Sequence, residues 1–324
     1  MAETTLRGAA SVTHRPTRET HPNSHVRTLC STKHNIEQWL FVASDIHWDN
    51  PKCDHSLLKQ HLDEAVSLGA RIVLPGDTFC LMQGKNDRRG HKSAIRKHHV
   101  EDNYFDVVAE DAVEFFAPYA EHIDIIGIGN HENSILKHHE FDFLQGFVAK
   151  MNLHLEREGS DHRIAAGGYT GWYTLQFGMG MSSSDIKKGN TTGSISWTMH
   201  YDHGSDSNSR VTYGVIEKNR KMVMLDGIDC IVQGHNHNSY GVDVIRLELD
   251  DRFRPRRKSV LLVRCGTYKD AYQSGINGWE VEKGLGPKPI GGQFIYVRAE
   301  RNTSKNRQDG EPGITVKCYN RKAI

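Results

Sequence analysis

The chain has 324 residues, 37% of them hydrophobic, and 41 Lys and Arg stand against 40 Asp and Glu for a formal net charge of +1. A balance so near neutral excludes a strong global attraction to nucleic acid or to a membrane surface, so only local patches can supply one. No apolar run approaches the roughly 20 residues that span a bilayer, the N-terminus lacks the apolar stretch of a secretory signal, and six scattered cysteines without a C-x-x-C pair suit reduced thiols in the cytoplasm.

Residues 1–37 are rich in Thr, Arg, His and Ser with no clear period, which predicts a flexible N-terminal extension ahead of a single domain over 38–324. From Trp39 onward, five apolar runs each end abruptly in polar residues of metal-binding type. Residues 39–43 precede Ser44-Asp45-Ile46-His47, and residues 71–74 precede Pro75-Gly76-Asp77. Residues 123–128 precede Gly129-Asn130-His131-Glu132, and residues 195–199 precede His200-Tyr201-Asp202-His203-Gly204. Residues 228–232 precede Gln233-Gly234-His235-Asn236-His237. Short runs rich in Val and Ile, bounded by Gly or Pro, predict buried strands. Apolar spacing of 3.6 type predicts helices over 56–68, 104–119 and 141–152. Beyond His237, residues 242–249, 259–264, 292–299 and 314–319 read as strands. Alternating strands and helices predict an α/β domain with functional groups in the loops at strand carboxyl ends. The antiparallel β-rich second half completes it as a β-sandwich flanked by helices.

Taken singly, the motifs are weak. G-D is more often a turn or a helix cap, because Gly and Asp favour both positions. G-H-x-H says more, since alternate residues of an extended segment point to one side and can share a metal. The joint pattern decides: D-x-H, G-D, G-N-H-E, H-x-x-H-G and G-H-x-H occur in this order, each closing its own apolar run. Carboxylates and imidazoles suit Mn, Fe, Zn and similar divalent ions, and the lack of cysteine ligands argues against a structural zinc site. Two ions about 3.5–4 Å apart need a bridging carboxylate and generate a hydroxide nucleophile from a shared water at neutral pH.

This order of motifs resembles the calcineurin-like metallophosphoesterase superfamily, which includes nucleases, purple acid phosphatases and Ser/Thr phosphoprotein phosphatases. The resemblance covers residues 41–238. The later stretch from Arg264-Cys265-Gly266-Thr267-Tyr268 to Gly291-Gly292 looks like that of phage and bacterial members. The resemblance implies two divalent metal ions, manganese foremost, with iron, zinc or nickel as alternatives. It implies Asp45, His47 and His237 on the first ion, Asp77 bridging, and Asn130, His235 and either His200 or His203 on the second. His203 precedes a Gly, as the family's ligand often does, whereas His200 more directly ends its apolar run. His131 is implied as the general acid for the leaving group. One departure stands out: the family's G-D-x-x-D or G-D-x-x-E reads Gly76-Asp77-Thr78-Phe79-Cys80 here. The missing acid is not usually a metal ligand, so the change is one of support.

The reaction so implied is hydrolysis of a phosphate-ester substrate by a metal-bridging hydroxide. Residues 84–99 carry six Lys or Arg against a single Asp. Placed directly after a metal motif, they read either as a solvated face or as a basic lip. The lip favours a phosphodiester, a nucleic acid or nucleotide, over a phosphomonoester. Residues 269–292, with Tyr272, Trp279, Lys283 and Lys288, read as a lid with an aromatic for base stacking or as plain surface. The reading of a different class is a non-catalytic metal-binding scaffold. Every ligand position is filled, which counts against it.

Overall fold

The Val- and Ile-rich runs that end in polar motifs become strands of two facing sheets. The structure is a computed structural model that describes residues 12–82, 94–190, 195–204, 215–249, 253–272, 281, 284, 286–301 and 314–323. In chain order the strands of the first half are β1 (Thr13–His14), β2 (Arg18–His21), β3 (Ser24–Ser31), β4 (Asn35–Val42), β5 (Arg71–Leu74), β6 (Ile123–Ile126) and β7 (Ala165–Ala166). The second half adds β8 (Thr170–Met179), β9 (Ile195–Asp202), β10 (Cys230–Gln233), β11 (Tyr240–Leu249), β12 (Pro255–Arg264), β13 (Gln293–Arg301) and β14 (Ile314–Lys322). The helices are α1 (His55–Ser67), α2 (Tyr104–Phe116), α3 (Asn130–His139), α4 (Phe143–Arg157), α5 (Ser183–Lys188) and α6 (Val215–Met224).

One sheet has the order β1-β3-β8-β9-β10-β12-β11, with β2 also on β3, and the other has β14-β13-β4-β5-β6-β7. Within them β4, β5, β6 and β7 pair in parallel, and β10 pairs in parallel with both β9 and β12. Parallel strands covered on both faces need no polar alternation. Along β4, Leu40 and Val42 join the core between the sheets, while Phe41 joins the core under the helices. On the other sheet, β10 sends Cys230 and Val232 into the inter-sheet core and Ile231 outward against Met222 of α6. Leu58 of α1, Val108 of α2 and Phe147 of α4 close the opposite side. The layers are therefore helices, sheet, sheet and helix, the helix-flanked α/β sandwich the sequence predicts. Each fully buried large apolar side chain in these cores contributes about 1.5–3 kcal/mol by leaving water.

The antiparallel second half divides between the sheets. β11 pairs antiparallel with β12 in one and β13 with β14 in the other.

The extension expected over residues 1–37 is corrected from residue 12 onward. β3 pairs in parallel with β8 along its whole length, and Leu29 and Cys30 are fully buried. An apolar period is missing there because Arg27, 5% exposed, points inward to the buried Asp124. Residues 1–11 lie outside the described ones. Among the described residues no helix is long and apolar enough to cross a membrane.

Candidate metal centre

Parallel strands with one polarity bring their carboxyl ends to one edge, and the five polar motifs meet there. The loops after β4 and β5 are tied by backbone bonds from Asp45 N to Gly76 O at 3.1 Å and from His47 N to Asp77 O at 3.1 Å. The other sheet joins them where Gly234 N donates to His203 O at 3.2 Å and His235 N donates to Asp45 Oδ2 at 2.8 Å. Two glycines are required by close approach. A Cβ on Gly129 would lie 2.0 Å from Asp77 Oδ1, and one on Gly234 would lie 2.0 Å from Ser44 Oγ.

Backbone strain concentrates at the same edge. Of nine non-glycine residues with positive φ among the described residues, five are expected ligands: Asp45, His47, Asp77, His235 and His237. Each left-handed residue of this kind costs on the order of 1–3 kcal/mol, and such strain persists where the surroundings fix it for a function.

Two donor sets form from the expected ligands alone, and His47 also falls with Cys80 and His131 in another. Asp45, His47 and His237 offer one ligand atom each within 4.8 Å of one another, and so do Asp45, Asp77 and His203. Asp45 is common to both, whereas the sequence resemblance implied Asp77 as the shared carboxylate. In the first set the Nε2 atoms of His47 and His237 face each other at 3.5 Å, and His237 Nε2 lies 3.3 Å from Asp45 Oδ1. In the second, His203 Nε2 lies 3.2 Å from Asp77 Oδ2. Asn130 Oδ1 receives His203 Nε2 at 3.1 Å and His235 Nδ1 at 2.9 Å. Seven of the eight residues expected as ligands are thus drawn together. His200 is not. It faces away along β9, with Nε2 3.0 Å from Thr170 Oγ1 and its ring against Trp172, so the choice between the two histidines falls on His203.

The donor set fits divalent transition metals. Asp45 Oδ1 and His47 Nδ1 are buried and make no hydrogen bond among the described residues, which is costly for a polar atom unless something else satisfies it. Burial works against ionisation of Asp77, but His203 and His131 hold its carboxyl well below the usual carboxylate range. Asp45 is likewise lowered against its burial, chiefly by His237. Burial pushes His47 well below the usual imidazole value, neutral as a metal ligand must be. Burial also opposes a charge on His203, yet Asp77 raises it to about 9, so without a cation the protonated imidazole of His203 balances that carboxylate.

His131 differs from these. Its Nδ1 donates to Cys80 O at 2.7 Å, which fixes the tautomer and leaves Nε2 turned toward the centre, 4.0 Å from Asp77 Oδ2. Its side chain is 14% exposed.

Two supporting carboxylates were not assigned from the sequence. Glu132 takes Gly129 N at 2.9 Å, Asp77 N at 3.2 Å and Phe79 N at 2.9 Å, so it clamps the second and third motifs together. Burial and the Asp77 charge push Glu132 up to about 8, against the pull of its backbone N–H donors. Its signal was present: a Glu three residues after Gly129 sits where it can accept the N–H that precedes α3, one half of a capping box. Asp49 takes Cys80 N at 2.5 Å, Leu81 N at 2.8 Å and the Tyr104 hydroxyl at 2.9 Å. Asp49, from the loop after β4, thus holds the backbone at the position where the G-D-x-x-D pattern has an acid and this chain has Cys80.

Of the basic segment, residues 84–93 lie outside the described ones, Arg88, Arg89 and Lys92 among them. In the late loop, Trp279 and Lys283 also fall outside. His237, Lys269, Tyr272 and Lys288 line a small pocket beside the first donor set.

No protein-family model and no curated protein matches the chain. Among solved structures it is similar to a conserved uncharacterized protein, a predicted phosphoesterase, from Streptococcus pneumoniae, at 12% identity over 88% of this chain and 99% of that one, with a TM-score of 0.30. It is also similar to Vps29 from Entamoeba histolytica, solved with zinc, at 8% identity over 89% and 100% of the two chains, with a TM-score of 0.30. GAP50 from Plasmodium gives 12% identity over 87% and 89%, with a TM-score of 0.34. At such scores the likeness carries no argument about chemistry.

Proposed function

We propose that the chain is a two-metal phosphoesterase of the calcineurin-like metallophosphoesterase superfamily, acting on phosphodiesters such as nucleic acids or nucleotides. The observation that carries the reading is the pair of overlapping donor sets joined at the buried Asp45. The motif order read from the sequence supports it independently. Asp45, His47 and His237 would hold one ion and Asp77, Asn130, His203 and His235 the other, with Asp45 common to both donor sets. Bound there, two divalent cations such as manganese supply Lewis acidity and a hydroxide from a shared water. The chain's own part is positioning. Glu132 and Asp49 fix the Asp77 loop, and the backbone strain holds the ligands before any ion arrives.

His131 is placed to protonate the departing oxygen. With Nδ1 engaged by Cys80 O, only Nε2 can hold and release a proton over the centre. A diester has a poor alkoxide leaving group, so this acid favours diesters over activated monoesters. Lys97, at the end of the basic segment, adds charge complementary to a polyanion. A cytoplasmic location accords with six free cysteines, five of them buried.

The test is hydrolysis of bis-p-nitrophenyl phosphate, p-nitrophenyl phosphate and a single-stranded oligonucleotide by protein reconstituted with Mn²⁺. Turnover that chelation abolishes supports the proposal, with the oligonucleotide and the diester preferred. A fully metallated protein that cleaves none of them overturns it.

A further inference from the structure

A further group of ligand-type side chains lies outside the centre. The turn Lys97–His99 brings His98 and His99 over the side of α2. There His98 Nε2 lies 2.9 Å and His99 Nε2 2.7 Å from one atom, Asp111 Oδ2. Three neutral-to-anionic donors converge on a single point, with the two rings 4.2 Å apart. For ligands about 2.1 Å from a metal, neighbouring ligand atoms in an octahedral shell stand about 3 Å apart, close to these separations. A half-exposed His98 and a one-third-exposed Asp111 leave the remaining coordination positions to water, while His99 is fully buried.

We propose that His98, His99 and Asp111 form a separate binding site for a borderline transition-metal cation of the zinc, nickel or copper type. Two imidazoles and one carboxylate select such ions over magnesium or calcium, which prefer oxygen ligands. The site pins the turn that leaves the basic segment onto α2. It also stands one side chain away from the candidate centre. His99 packs against Trp48, ring centroids 5.9 Å apart, and Trp48 directly follows His47.

One neighbour opposes the ion. Arg96 Nη1 lies 3.4 Å from the same Asp111 oxygen, and its guanidinium carbon sits 5.2 Å from the Trp48 ring centroid. Binding therefore displaces Arg96 from Asp111, while the contact with Trp48 gives it somewhere to remain. A cation competing with a cation makes a distinctive prediction: Arg96→Ala binds metal more tightly than wild type. A plain hydrogen-bond cluster has no such property.

The experiment uses the full chain, stripped with chelator and titrated with Zn²⁺, with ions per chain counted by elemental analysis. His98→Ala and Asp111→Asn each take up one ion fewer than wild type, and Arg96→Ala binds that ion severalfold tighter. His98 is 52% exposed, so its replacement leaves the core untouched. The result does not depend on the proposed function. An empty candidate centre would lower every count equally and leave the difference of one intact. Equal counts in wild type, His98→Ala and Asp111→Asn overturn the site. So does loss of one ion in a control substitution at the exposed His138, which would mark the uptake as unspecific surface binding.

Discussion

Two fully buried carboxylates stand at opposite ends of the same sandwich. At the start of β6, Asp124 takes Arg27 Nη1 at 2.8 Å, Arg71 Nη2 at 2.5 Å and the Tyr173 hydroxyl at 2.5 Å. Beyond the end of β4, Asp45 is just as buried, but among the described residues its Oδ1 makes no well-formed hydrogen bond, with His237 Nε2 3.3 Å away. The first carboxylate is saturated from within the chain and ties β3 and β8 of one sheet to β5 and β6 of the other. The second is surrounded by imidazoles in strained backbone, with lone pairs left over. Burial alone therefore does not mark a functional acid. A buried carboxylate oxygen left without a partner is the feature that fits a cation, because such an atom otherwise costs about 1–3 kcal/mol or more.

The comparison breaks most visibly at Asp77. Asp77→Ala is expected to lose the ion of the second donor set and to reduce hydrolysis to background, since under the proposed function its carboxylate holds that ion. Elemental analysis and turnover with Mn²⁺ check this, and retention of full metal content would remove Asp77 from the ligand set. His131→Ala should keep its metals and lose turnover by roughly a hundred- to ten-thousand-fold, the range for a lost general acid. The loss should be greater for nucleotide esters than for p-nitrophenyl esters, whose leaving group needs no proton. Equal losses on both kinds of substrate would take the acid role away from His131.

What was legible in the sequence follows the same division. The candidate centre could be read because each expected ligand sits at or just past the end of a short, mainly apolar run, and both features are local. The order β4, β5, β6, β9, β10 and the helices α1, α2 and α4 emerged for that reason. The ion network at Asp124 hid β3 instead. Arg27 occupies an inward position where the period demands an apolar residue, and its partner lies 97 residues away. Asp49 was invisible as a support because it follows D-x-H by two positions and acts across space on Cys80 and Leu81. The short α3, whose first residues are themselves the G-N-H-E motif, was read as motif rather than as helix. His200 and His203 were separable only once the strand direction was known.

The Asp124 end of the comparison is sharpened by Asp124→Asn. Removing the charge strands two buried guanidinium groups, which should destabilise the fold by about 3–5 kcal/mol while leaving metal content per folded chain unchanged. The effect has a sign in pH. Burial opposes ionisation of Asp124, yet Arg71 and Arg27 together hold its carboxyl far below the usual range. A depressed folded value means the stabilisation is complete above the unfolded value of about 3.9 and fades as pH falls through the folded one. Urea unfolding between neutral and acid pH should therefore show wild type losing its advantage over Asp124→Asn as the solution is acidified. A constant gap across that range would mean that Asp124 contributes through packing rather than charge.

The smallest expected effect tests whether a saturated carboxylate inside the centre behaves like Asp124 or like Asp45. Asp49 resembles Asp124 in being satisfied, with two backbone N–H groups and the Tyr104 hydroxyl as its donors. Its influence nevertheless passes to the reacting edge. The peptide of Cys80 that donates to Asp49 through its N–H belongs to the residue whose carbonyl accepts from His131 Nδ1. In Asp49→Asn one oxygen can still accept, but the new amide N–H₂ faces a backbone donor, and an unsatisfied group of this kind costs about 1–3 kcal/mol. The loop at Cys80 should shift to relieve it, turning His131 without touching a metal ligand. The expected outcome is unchanged metal content, a severalfold drop in kcat and little change in KM, with a milder loss on p-nitrophenyl esters. A variant that instead loses metal would place Asp49 with Asp45 and Asp77, as part of the cation's own surroundings. One that loses stability alone, with kcat intact, would place it with Asp124.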